Sequence, residues 1–110
     1  MPKELSASPF EVTSTLKMIG SNIKAARSRR RILQEELARK CGITRKTLGS
    51  LEQGEGGVSM ATLLTVLWTL GLLDSAKAVA SPDNDEHGKI LEAARQKQRI
   101  REPVRNDNDF

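Results

Sequence analysis

The pair of short helical patterns within residues 33–54, joined by a single turn, constrains the fold of this chain more than any other feature. Residues 33–54 read LQEELARKCGITRKTLGSLEQG. Leu37, Ala38 and Cys41 recur at the 3–4 spacing of one helical face, which predicts a helix over 34–41. Gly42 supplies the left-handed backbone that ends such a helix, and Ile43 follows as a buried anchor for the turn. Thr44 is placed to cap a second helix over 45–53, its hydroxyl accepting an orphaned backbone N–H. Leu48 and Leu51 form the apolar back of that helix. At ~100° per residue its front carries Lys46, Gly49, Ser50 and Gln53, with Arg45 at the leading edge. Gly54 closes it. A thin apolar back behind a basic and hydroxylic front is what a helix needs to enter the major groove of DNA.

The rest of the chain organises around this unit. Residues 1–12, polar and carrying Pro2 and Pro9, are expected to be a flexible N-terminal segment. Leu16, Ile19, Ile23 and Ala26 mark a first helix capped by Thr13 or Ser14 and ending near Arg30. After the turn Glu55-Gly56-Gly57, Ser59 caps a fourth helix to about Leu70, with Met60, Leu63, Leu64, Leu67 and Leu70 as its core face. Val66 and Trp68 flank that face, and Leu72 and Leu73 follow it. A fifth short helix over 73–80 completes a domain of residues 13–80. A sixth over 85–99 belongs to a C-terminal segment, 81–102, that packs on the domain or extends it. Residues 103–110 read as a disordered tail with a lone terminal Phe110. The expected class is all-α, with five or six helices and no strand alternation.

Charge is unevenly spread. Residues 17–46 hold ten Lys/Arg against two acids, whereas residues 47–94 hold two against seven. The first stretch, with its Arg29-Arg30-Arg31 run, is suited to phosphates and the second to another partner or to solvent. One cysteine, Cys41, and one histidine, His87, leave almost nothing from which to build a metal site or a Cys/His nucleophile. No phosphate-binding glycine loop or serine-elbow motif appears. No catalytic residue, metal or cofactor is therefore expected. No apolar run approaches the ~20 residues of a membrane helix, no secretory signal is evident, and the expected location is cytoplasmic, at the nucleoid.

Gln34, the Leu37-Ala38 pair, Gly42, Ile43-Thr44-Arg45, Leu48 and Leu51-Glu52-Gln53-Gly54 resemble the helix-turn-helix of the Xre/Cro family of bacterial and phage repressors, over residues 20–73. The resemblance implies a lambda-repressor-like domain. In it Arg45, Lys46 and Ser50 would read base edges, and Gln34, Thr44 and Thr47 would contact phosphates. Backbone N–H groups at Ser59-Met60 would meet another phosphate. It further implies a homodimer on double-stranded operator DNA. Two positions depart from the family pattern: Leu33 stands where a capping Ser or Thr is usual, and Gly49 interrupts the second helix. Gly49 fits either close approach to DNA or a neutral surface.

The order Leu67-Trp68-Thr69-Leu70-Gly71-Leu72, then Val79-Ala80-Ser81-Pro82-Asp83, Gly88, Ala94-Arg95 and Arg99-Ile100-Arg101 is similar to HipB-type antitoxins. Those are Xre-family proteins that bind a HipA-type kinase toxin and repress the shared operon. That resemblance implies a dimer or partner interface at Val66, Trp68, Leu72, Leu73 and Phe110. Two alternatives stay open: a stand-alone phage-type or metabolic regulator without a toxin, and an interaction module that neutralises a partner without binding an operator.

Overall fold

A computed structural model describes residues 9–101. Its elements are α1 (Phe10–Arg29), α2 (Gln34–Cys41), α3 (Arg45–Glu52), α4 (Met60–Leu70), 3-10 turns at Leu73–Ala76 and Pro82–Asn84, and α5 (Glu86–Arg101). Five α-helices and no strand are present among the described residues, and the class is all-α. The chain divides into two compact units after Ala76, so the described residues form units of 9–76 and 77–101. Phe110 lies outside the described residues.

The first unit has one core, in which Ile23 and Ala26 of α1, Leu37 and Ala38 of α2, Leu48 and Leu51 of α3, and Val66 and Leu70 of α4 meet. Cys41 and Ile43 are half-buried against it, and the Cys41 thiol donates to Thr69 Oγ1 at 3.4 Å. Gly42 (φ 70°) ends α2 in the left-handed conformation. Thr44 and Ser59 cap α3 and α4, accepting from Thr47 N and Thr62 N, each at 3.0 Å.

Two helices cross closely where glycine allows it. A Cβ on Gly20 of α1 would stand 2.5 Å from Leu51 O, and one on Gly54 would stand 2.5 Å from Lys17 Cα. The same crossing encloses an ion pair. Arg27 Nε donates to Glu52 Oε2 at 2.6 Å and Arg27 Nη2 to Glu52 Oε1 at 3.1 Å. Arg27 Nη1 reaches on to Ile32 O at 2.8 Å, fastening the α1–α2 connection. Glu52 is only 6% exposed.

Several sequence expectations change. α1 starts at Phe10 rather than Thr13 or Ser14. The Thr15 hydroxyl turns back to Glu11 O at 2.7 Å, a bond made inside a helix and not at its cap. The helix expected over 73–80 is a 3-10 turn followed by turns, with Ala80 at φ 55°. On α4 the core face is rotated from the expected one. Val66 is fully buried, whereas Met60 is 73% exposed and Leu64 half-buried. An apolar residue at nearly every position leaves the helical period without a unique face, and packing against α2 decides it. Val66 is thus a core residue and cannot serve an interface. Leu72 is half-buried against the same core.

Removing one partner of the buried pair leaves the other uncompensated, a loss of about 3–5 kcal/mol. Arg27→Met and Glu52→Leu should each lower the unfolding free energy measured by urea denaturation by that order. The double variant should recover much of the loss, and strictly additive losses would show that the two groups do not act as a pair.

Candidate nucleic-acid interface

A helix of eight residues such as α3 is marginal in isolation, so its placement depends on what holds its back. Leu48 and Leu51 enter the core, and Glu52 one position on takes the Arg27 guanidinium. The Gln34 amide at the start of α2 bridges this buried pair to the surface. Its Nε2 donates to Glu52 Oε1 at 2.9 Å, and its Oε1 accepts from Arg45 Nε at 3.4 Å. The chain Arg27–Glu52–Gln34–Arg45 therefore runs from the α1–α3 crossing out to the first residue of α3. Gln34, read from the sequence as a phosphate contact, has both ends of its side chain engaged within the protein.

What remains forward is polar. Gln34, Arg45, Lys46, Gly49, Ser50 and Gln53 line one groove along α3, with Glu55 at its end. Arg45 and Lys46 are exposed, and Ser50 and Gly49 half-buried. Ordinary backbone geometry holds Gly49, and a Cβ there would meet no protein atom within 4 Å. The open front of α3, not packing, is thus where a side chain at 49 would project.

A second groove, lined by Thr47, Ser50, Gly57, Val58, Ser59 and Thr62, lies between α3 and the start of α4. Thr44 and Thr47 are linked through their hydroxyls at 2.9 Å. Ser59 likewise donates to the Thr62 hydroxyl at 3.0 Å. On the other flank Lys24, Arg27, Leu33, Gln34, Glu35 and Arg45 surround the start of α2. Leu33, 71% exposed, gives that helix no side-chain cap. Thr44, Arg45, Lys46, Thr47, Ser50 and Ser59 thus cluster on α3 and the facing end of α4. Trp68 and Leu73 of the expected interface lie on α4 and the turn beyond it, Trp68 exposed and Leu73 half-buried.

Sequence reasoning missed Arg27 and Glu52 as positioning residues, counting one with the basic stretch and the other with the acidic surface. A signal was present. Arg27 follows Ile23 by four and Glu52 follows Leu48 by four, so opposite charges stand in core-facing register on two helices. Among the described residues, no group of three or more His, Cys, Asp or Glu side chains could hold a metal, and no helix is long and apolar enough to cross a membrane.

The helix-turn-helix family matches residues 23–72, the segment that holds the C-terminal third of α1, α2, α3 and α4. That match supports DNA binding and transcription regulation as the work of this segment. No curated protein and no solved structure matches the chain.

Because the added methyl at Gly49 meets no protein atom, Gly49→Ala should raise stability by up to ~1 kcal/mol through helix propensity alone. Urea denaturation measures it, and a loss of stability would contradict the open geometry of this position.

Proposed function

Starting from a helix-turn-helix segment at residues 23–72, we propose that this chain is a sequence-specific repressor that lays α3 in the major groove of operator DNA. The observation that carries the reading is the forward face of α3, where exposed Arg45 and Lys46 stand beside Gly49 and Ser50 on a helix locked from behind. Arg45, Lys46 and Ser50 contact base edges. Arginine is suited to the paired acceptors of guanine, and serine accepts or donates to either base of a pair. Thr44 and Thr47 contact phosphates at the start of α3. Backbone N–H groups at the starts of α2 and of α4, at Ser59-Met60, take further phosphates. Gln34 acts through Arg45, whose guanidinium it orients.

The protein works as a two-fold dimer on a pseudo-palindromic site, since each half-site alone offers few contacts. Met60, Leu64 and Trp68 recur at spacings of four along α4, with Met60 and Trp68 exposed (Trp68 67%). This apolar stripe replaces the expected surface that included Val66 and is the dimer surface of the proposal.

The narrower reading is an antitoxin that represses its own operon and binds a HipA-type kinase toxin. Its support is the resemblance of residues 67–101 to HipB-type chains, together with exposed Val79, Asp83, Asp85, Glu86 and Glu92 in the second unit. Apolar contacts there would carry affinity, and the acids orientation and association rate. Without a toxin partner the same molecule is a stand-alone repressor.

A mobility shift with DNA from upstream of the gene tests operator binding. Arg45→Ala or Lys46→Ala should cost ~1–3 kcal/mol of binding and relax preference at one base pair. Full affinity and selectivity in the double variant would remove α3 from the role of reader. Size-exclusion chromatography with light scattering tests assembly. The chain alone should run as a dimer, and after co-expression with an adjacent kinase-like gene product it should run as a larger complex. A strict monomer rejects the Trp68 stripe as a dimer surface; a dimer that forms no complex leaves the stand-alone repressor.

A further inference from the structure

The second unit carries a feature that operator reading by α3 does not use. Within α5, Arg95, Lys97, Arg99 and Arg101 fall in seven residues, with no carboxylate from 93 to 101. All four are exposed, and none is in an ion pair among the described residues. The first turn is different, because there Lys89 meets Glu86 at 3.4 Å. Arg99 and Arg101 lie in the last turn, where cations complement the helix dipole. Arg95 and Lys97 stand upstream of it, so the dipole does not account for them.

The arrangement of these cations narrows what they could bind. At ~100° per residue, Arg95 and Arg99 share one stripe, while Lys97 and Arg101 share another nearly opposite. Ile100 is the single large apolar residue among them. A helix that docks in an apolar groove or lies in a membrane surface needs a continuous apolar face on one side. This segment has positive charge on both sides instead, and so matches a densely charged polyanion. Over ~9 Å of helix, at 1.5 Å per residue, it meets a duplex that offers a phosphate every ~1.7 Å of its axis.

We propose that residues 95–101 of α5 form a second, sequence-independent DNA contact that binds phosphates of the duplex beside the site read by α3. The proposal rests on α3 binding DNA. Residues 77–85 join α5 covalently to the unit that holds α3, so once α3 is seated any α5 contact with the same duplex is intramolecular and forms at raised effective concentration. The base edges set which site is occupied; α5 adds residence on it without altering the choice.

The test compares the full-length chain with a variant carrying Arg95→Gln, Lys97→Gln, Arg99→Gln and Arg101→Gln. Glutamine preserves helix propensity, and far-UV circular dichroism checks the helix content. Binding to the operator duplex and to a scrambled duplex is measured by fluorescence anisotropy over a range of KCl. Each phosphate contact contributes ~0.9 to the slope of log K against log salt, so the variant's slope should be shallower by about two to four units. Affinity at low salt should fall by about tenfold or more, equally on both duplexes, with the ratio between them unchanged. A control with Arg95→Lys, Arg99→Lys and Arg101→Lys should keep the wild-type slope. An unchanged slope in the glutamine variant, with wild-type selectivity intact, overturns the α5 contact alone. Selectivity lost together with affinity overturns it as well, since α5 would then be reading sequence. Failure of the wild type to bind either duplex overturns both this proposal and the reading of α3.

Discussion

Everything in the first unit turns on a carboxylate buried away from the surface. Glu52 sits at the end of α3 with both oxygens turned inward, and three side-chain N–H groups converge on them from Arg27 and Gln34. Taking two charges out of solvent cancels much of their attraction, so the pair adds little net stability compared with apolar residues of the same volume. Its consequence is positional. A planar guanidinium can meet a carboxylate through two parallel bonds in few orientations. The third donor of Arg27, on Ile32 O, carries the same constraint into the α1–α2 connection. One side chain therefore sets the crossing of α1 with α3 and the start of α2. The close approach at Gly20 and Gly54 brings the backbones near enough for this to happen, since a Cβ at either would strike backbone of the facing segment.

The candidate interface is the outward end of that constraint. α3 is too short to hold its own shape, and Leu48, Leu51 and Glu52 anchor it on one side only. The other side is left free of packing demands, so its composition can follow a ligand. Gln34 links the two sides. Its amide is held on the buried carboxylate and in turn accepts from Arg45. One side chain, Gln34, separates the buried pair at the α1–α3 crossing from the leading residue of α3, and its hydrogen bond favours one placement of Arg45 before any DNA arrives. Less ordering entropy then remains to oppose binding.

Local signals in the sequence were strong where the chemistry was local. α2, the turn at Gly42, the Thr44 cap and the Ser59 cap followed from residues within a few positions of one another, and the structure has them there. The start of α1 was misread because Thr13 and Ser14 are good caps in isolation, yet the helix runs through them from Phe10. Val66 was misassigned because α4 is apolar on almost every side. Nothing within its own sequence says which arc meets α2. The Arg27–Glu52 pair joins residues 25 apart, and only the folded crossing brings them together. Assigning each charge to a surface by counting put both on the wrong side of the protein boundary.

Backbone amide shifts recorded by NMR while operator duplex is titrated into the labelled chain report directly on whether the seated α3 meets DNA. The largest changes are expected at 33–36, at 44–50 and at 58–60, with the Trp68 stripe unaffected by DNA. Glu52→Leu, which loosens the seat of α3, should broaden or scatter these changes even where the helices persist. Changes that spare α3, or a wild-type pattern in the Glu52→Leu chain, would contradict a reader helix held in place by Glu52.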